Sequence, residues 1–267
     1  NINHFKNPYD FKSQFMQKTA SDILGLEVAG QVVQCGSDVN NFKIGDRVFG
    51  LVAGGGYAEY CLIDHGLALK IPNDWKYTDA AAVIEAFVTA NETIFELGNL
   101  SKGESVLIHA GGSGVGSAGI QMAHHIGATV FTTTSSEEKI QKTLKLGATY
   151  AINYKLQDFE IAIIDILEKT NGQGVDVIQD FIGAGYFRKN LSILKPGGRL
   201  IQVGLMRGNQ VELDLRYLMD KHLQIKGFIL RKRSLLEKRV IIKRFADRWF
   251  PVLEKGLIKP VIDSVFP

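Results

Sequence analysis

The sequence predicts an α/β protein built on a doubly wound, six-stranded parallel sheet, with a smaller, mostly antiparallel β unit ahead of it. Three observations carry this expectation. Short β-branched runs broken by glycine turns fill residues 23–72, as antiparallel strands do. From residue 105 onward, apolar strands, turns and helical patterns alternate, the grammar of parallel β–α units. The chain has 267 residues, a length at which single cores divide, near ~250–300 residues.

In the first unit the strand candidates are Val28 to Cys35, Asp46 to Leu51, Ala58 to Leu62 and Leu67 to Ile71. A helix is expected from Asp79 to Leu97, behind a Thr78 and Asp79 capping signal. Six strands should follow, at Ser105 to Ala110, Thr129 to Thr134, Tyr150 to Asn153, Val175 to Phe181, Arg199 to Val203 and Leu223 to Leu230. Between them, helical patterns occupy Gly114 to Ile126, Glu137 to Lys145, Phe159 to Lys169, Tyr186 to Leu194 and Asp214 to Lys221. This is a sheet of Rossmann type. A last helix, Ser234 to Leu253, places Leu235, Ile242, Phe245, Trp249 and Leu253 on one face.

Composition narrows the function classes. Lysine and arginine number 31 against 28 acidic residues, a net charge of +3, too small to require nucleic acid or an anionic membrane as partner. Seven of the cations lie between Arg231 and Arg244 against Glu237 alone, so the charge is local. That segment reads as the solvated face of an amphipathic helix, in preference to a nucleic-acid patch. No apolar run approaches the ~20 residues that span a bilayer, and Asn1 to Lys6 carries no signal-peptide core. The two cysteines, Cys35 and Cys61, form no disulfide framework or metal motif, which fits a cytoplasmic protein.

The chemistry concentrates in Ser105 to Gly116, where an apolar strand enters the glycine-rich turn Gly111, Gly112, Ser113, Gly114 and then a helix. Such a turn lets backbone amides and a helix N-terminus hold a pyrophosphate. At the end of the next strand an NAD enzyme usually carries an acidic residue for the ribose hydroxyls. Here the sequence reads Thr133, Thr134, Ser135, Ser136, with Lys139 three residues on. Hydroxyls and an ammonium suit a 2′-phosphate, and a charge-assisted hydrogen bond of about 1.5–3 kcal/mol favours NADPH. The plainer roles for the same residues are a helix cap at Ser136 and a solvated Lys139, with Glu137 and Glu138 weakening the positive field.

The ordered motifs Gly25 to Gly30, Ile44 to Gly50, Gly55 to Tyr60 and His109 to Gly116 resemble the zinc-independent quinone oxidoreductase branch of the medium-chain dehydrogenase/reductase superfamily. The likeness runs from about Ile23 to Pro267; before it, either Asn3 or Asn7 matches the family's early asparagine. It implies a GroES-like catalytic domain over residues 1–86, an NADPH-binding Rossmann domain over 87–234, and a helix returning to the catalytic domain over 235–267. Both ends of the catalytic domain are expected to be trimmed. Ser113, Gly114, Val115 and Gly116 would hold the pyrophosphate, and Ser136, Lys139 and Tyr154 the adenosine phosphate. Thr89 would sit near the nicotinamide, flanked by Gly204, Leu205, Met206, Phe228, Ile229 and Leu230. From the residues alone, Tyr154 reads as an ordinary aromatic after a strand and Phe228 to Leu230 as core.

Zinc-dependent relatives carry a metal-binding histidine in their first motif, where this chain has Leu26, which offers no donor atom. His124 and His125 point about 100° apart on their predicted helix, unlike an i, i+4 ligand pair. No zinc is therefore expected. Without a Lewis acid, the expected acceptor is activated by its own carbonyl: a quinone first, an alkenal or enoyl thioester as the alternative. A third possibility is an NADPH-binding protein that binds RNA, as some relatives do, or senses redox state. The sequence names no catalytic acid, and solvent can supply the proton. A homodimer through strand 223–230, paired across a two-fold axis as in relatives, would cover an apolar edge that is otherwise a liability.

Overall fold

A computed structural model describes residues 22–266. Asn3 and Asn7 lie outside them. The smaller unit is an antiparallel sheet of β1 (Glu27–Gln31), β2 (Arg47–Leu51) and β3 (Ala68–Lys70) in that order. Val28 faces Gly50, and Val48 faces Lys70, across the two ladders.

Two short helices, α1 (Tyr77–Ala81) and α2 (Ile84–Ala90), lead through a π-helical turn at Asn91–Leu97 into the larger unit. There the strands β4 (Ser105–Ile108), β5 (Thr129–Thr134), β6 (Tyr150–Asn153), β7 (Val175–Asp180), β8 (Leu194–Gln202) and β9 (Gln224–Gly227) are all parallel. Their spatial order, β6-β5-β4-β7-β8-β9, is the doubly wound order that opens a crevice at the carboxyl ends of the central strands. The intervening helices are α3 (Gly114–His125), α4 (Glu137–Lys145), α5 (Phe159–Lys169), α6 (Ala184–Ile193) and α7 (Leu215–Lys221), and α8 (Leu235–Glu254) is the last described helix.

Alternation along the strands builds two core layers. Val106 and Ile108 of β4, Val130 and Ile201 join α2, α3 and α8 in one layer, while Leu107, Phe131, Ile178 and Leu200 face α5 and α6 in the other. Strands buried on both faces explain the near-continuous apolar runs in the sequence.

Several expected boundaries move. No strand forms at 58–62: the amides of Gly55, Gly56 and Tyr57 bond back to Ile23, Gly25 and Leu24, and Tyr60 and Leu62 then lie exposed with no strand beside them. Alternation makes a strand only where a partner is available. The first strand ends at Gln31 rather than Cys35, and the strand expected at Arg199 begins at Leu194. The helix expected over 79–97 is broken. It starts at Tyr77 without a side-chain cap, stops at Ala81, and resumes at Ile84 because the Glu27 carboxylate, reaching over from β1, accepts the Glu85 amide at 3.0 Å. The last strand stops at Gly227, leaving Phe228 and Ile229 in a connection to a 3₁₀ turn at Leu230–Lys232.

The basic segment also differs from a purely solvated face. Arg239 pairs with Asp64 of the smaller unit, and Arg244 with Glu92 and Glu96 of the π-helical turn. Its apolar face is as expected, with Ile242, Phe245, Trp249 and Leu253 buried. Among the described residues no helix is long and apolar enough to cross a membrane.

Candidate functional site

The glycine-rich turn is held by its own sterics. After β4, Ala110 adopts a left-handed φ of 54°, and the chain doubles back so closely that a Cβ on Gly116 would lie 2.4 Å from the Ala110 carbonyl oxygen. A Cβ on Gly111 would lie 2.0 Å from Thr132 Oγ1. Only glycine fits either position. Ser113 then caps α3, its Oγ accepting from the Gly116 amide at 3.1 Å, and Gly114 and Val115 open the helix's first turn. The positive end of a twelve-residue helix thus faces the crevice, the arrangement that accepts an anionic group.

The end of β5 runs beside this turn. Thr134 is 2% exposed and its Oγ1 has no hydrogen-bond partner. A buried orphan hydroxyl at the place where a ribose would be read calls for a ligand partner. Ser136 caps α4, accepting from the Lys139 amide at 3.3 Å, so the plainer role foreseen for it is realised. Lys139 itself is not simply solvated: its aliphatic carbons pass 3.0–3.6 Å from where a Gly112 Cβ would stand. Tyr154 follows β6, half-buried, with its amide bonded to the Thr134 carbonyl. Glycine turn, orphan hydroxyl and lysine are together a fit for a nicotinamide dinucleotide.

On the other side of the crevice, the Asp180 carboxylate at the end of β7 accepts from the amides of Ile182 at 2.6 Å and Gly183 at 3.1 Å. The loop after β8 is stapled to this turn, because the amides of Met206 and Arg207 donate to Phe181 and Ile182. Gly204 has no room for a side chain, with the Phe181 carbonyl 2.8 Å from its would-be Cβ, whereas Leu205 and Met206 are exposed. Phe228 and Leu230 are buried in the core, as the residues alone suggested, and only Ile229 between them is exposed. Thr89 is buried on α2, its carbonyl accepting from Thr93 Oγ1.

Three groups escaped sequence reasoning. His109 is fully buried at the end of β4, between Thr133 and Asn190, which it meets at 3.0 and 2.8 Å. Burial holds it neutral, outweighing the nearby Asp180 carboxylate and the Asn190 hydrogen bond. Glu27 and Glu85 form the second and third. They line a cleft of about 610 Å³ bounded by residues 22–27, Gly54, Tyr57 and Arg231. Burial, then repulsion by Glu27, pushes the Glu85 carboxyl up to about 7. The sequence marks Glu85 only as the charge that interrupts the apolar run Ala80 to Ala90. Among the described residues no group of three or more His, Cys, Asp or Glu side chains is placed to hold a metal.

Comparison with known proteins agrees with this architecture. Residues 6–73 match the alcohol dehydrogenase GroES-like domain, and residues 114–245 match the family model described as zinc-binding dehydrogenase. Human quinone oxidoreductase is 34% identical over 245 residues, 91% of this chain and 71% of that protein. The human synaptic vesicle membrane protein VAT-1 homolog is 30% identical over 260 residues, 91% of this chain but 64% of that protein. The chain therefore spans about two thirds of the length of these relatives. Among solved structures, Escherichia coli quinone oxidoreductase complexed with NADPH superposes with a TM-score of 0.79 at 28% identity, covering 90% of this chain and 73% of that one. CurK enoyl reductase gives the same TM-score, 0.79, at 26% identity, covering 92% and 72%.

Proposed function

Because the chain belongs to the medium-chain dehydrogenase/reductase superfamily and is an oxidoreductase of that family, we propose that it is an NADPH-dependent, zinc-independent reductase of quinones, working in the cleft between β1 and α2. The observation that carries the cofactor choice is Lys139 laid along the glycine turn, beside the orphan hydroxyl of Thr134 and with no acidic residue ending β5. The Ser113 to Gly116 turn and the α3 N-terminus would take the pyrophosphate, Lys139 and Tyr154 the adenosine phosphate. Gly204 to Met206, Ile229 and Thr89 would border the nicotinamide. A reduced nicotinamide bound there supplies hydride; the chain's own part is to orient it against an acceptor and to keep water from the reacting atoms.

Zinc independence rests on Leu26, which has no donor atom to offer a metal. A quinone is favoured by the likeness to quinone oxidoreductases. An alkene conjugated to a carbonyl is the second reading, supported by the equal likeness to an enoyl reductase. An RNA-binding role loses support, because Arg239 and Arg244 of the basic segment are engaged by carboxylates of the chain itself. We also propose a homodimer through β9, a sheet-edge strand whose Ile225 is 38% exposed.

NADPH and NADH oxidation with a panel of quinones, enals and enoyl thioesters tests the reading. Lys139→Ala is expected to raise the KM for NADPH about ten- to a hundredfold, as loss of one charge-assisted hydrogen bond predicts, and to leave that for NADH within about twofold. Equal effects on both nucleotides would remove Lys139 from phosphate recognition, and no turnover with any acceptor would remove the reductase.

A further inference from the structure

We propose that Glu85 is the proton donor of this chain: its carboxylic acid delivers a proton to the acceptor in the cleft as hydride arrives, with Glu27 as the positioning residue that holds it there. The role rests on the reductase reading above and adds to it a catalytic residue where solvent had been the only source of a proton.

The geometry has three parts. Glu85 lies in the first turn of α2, one helical turn before Thr89, so both stand on the same face of that helix. The next residue, Ala86, brings its Cβ to 3.8 Å from where a Cβ of Gly114 would stand. This sets the start of α2 directly against the start of α3 and the dinucleotide turn. Finally, Glu85 forms part of the wall of the 610 Å³ cleft together with Arg231, which follows the Phe228 to Leu230 connection. The Glu85 carboxyl thus lines the acceptor space at the end of α2 that abuts the cofactor turn.

Glu27 explains why the helix restarts where it does. Its carboxylate accepts the Glu85 amide at 3.0 Å, so β1 caps α2 from outside and holds the Glu85 backbone at the helix start. The same proximity places two carboxyls together in a half-buried site, which disfavours ionising both. The groups that act on Glu85 are Glu27 from β1, Arg231 after β9 and Lys238 from α8, with Asp22 and Tyr57 also lining the cleft. Burial and Glu27 outweigh the two cations, so the acid is still partly protonated at neutral pH, the condition for a general acid at working pH.

The step balances as follows. The acceptor, a quinone or an alkene conjugated to a carbonyl, gains a hydride with both its electrons from the reduced nicotinamide, which is oxidised. A new bond to hydrogen forms on the acceptor, and the displaced π pair ends on its carbonyl oxygen. The Glu85 O–H bond breaks, its electron pair stays on the carboxylate, and the proton goes to that oxygen or to the adjacent carbon. Water reprotonates Glu85 before the next cycle.

The test uses the full chain with NADPH and the best acceptor of the panel, alongside infrared titration of the nucleotide-free protein. Glu85→Gln is expected to lower kcat by on the order of a hundredfold, with the KM for NADPH changed less than about twofold, and to abolish the fall in rate above neutral pH. Glu85→Asp keeps the acid and should restore that pH limb at a reduced rate. Without nucleotide, the protonated-carboxyl band should disappear with a midpoint near pH 7 in the wild type and be missing from Glu85→Gln. If the wild type turns over but Glu85→Gln matches it in rate and pH profile, or the band titrates in the ordinary carboxylate range, the donor role is overturned while the reductase stands. If the wild type reduces no acceptor, both fall. Should Glu85→Gln fail to bind NADPH, the Glu85→Asp profile and the infrared titration decide.

Discussion

Gly111 shows how narrowly the cofactor turn is specified. Its amide bonds the Thr133 carbonyl at 3.0 Å, and Thr132 Oγ1, itself donating to the Ile108 carbonyl at 2.7 Å, fills the space where a side chain would go. Gly111→Ala must therefore push β4 and β5 apart. A loss of roughly 1–3 kcal/mol in chemical denaturation, typical of overpacking, should accompany loss of nucleotide binding by fluorescence titration. A variant that binds NADPH normally would show that the turn relaxes elsewhere. At this scale the sequence was legible wherever backbone chemistry dictates residue type: the glycines, the Ser136 cap and the missing acidic residue after β5 were all visible. Glu85 and His109 were not, because the burial that gives each its character comes from neighbours distant in sequence. Glu27 stands 58 residues from Glu85, and Asn190 stands 81 from His109.

Among the elements, α8 and the stretch from α1 to the π-helical turn make a contrast. Helix α8 could be read from its pattern, since Ser234 and Glu237 form a reciprocal capping box and the apolar face keeps a steady period. The earlier stretch could not. There a carboxylate from β1 interrupts one helix, and Thr93 Oγ1, donating to the Thr89 carbonyl and accepting from Gln179, sits at the widening of the next. The two elements meet through Arg244, whose guanidinium lies 2.5 Å from Glu92 and 3.2 Å from Glu96. Glu92 is only 4% exposed, so removing its partner strands a buried charge. Arg244→Met is expected to cost roughly 2–3 kcal/mol, below the range for a wholly buried pair because Arg244 is itself partly exposed. Adding Glu92→Gln should recover most of it. Strictly additive losses in urea denaturation would show that the pair contributes nothing jointly.

The whole molecule carries a pH signature. Between the ordinary carboxyl value of 4.5 and about 7, the folded chain holds a proton on Glu85 that the unfolded chain releases, so this group's contribution to stability falls as pH rises through that window. His109, buried neutral, acts oppositely and loses stability as pH falls. The difference between wild type and Glu85→Gln isolates the first: in nucleotide-free thermal melts the wild type should lose Tm relative to the variant from about pH 5 to pH 7, and parallel curves would contradict it. The six-strand order was legible as a whole because each glycine turn announced the next unit. The cleft was not, since its walls come from β1, α2 and the end of β9, and no stretch of sequence contains it. Helix α8 ties the two units together, with Arg239 held by Asp64 and packed on Gly66 at one point, and Arg244 and Arg248 held by Glu92 and Glu96 at another. A helix of 20 residues anchored to both units is a strut. It braces the smaller unit against the larger one, so the joint between them is held by side chains as well as by the chain that runs from one to the other.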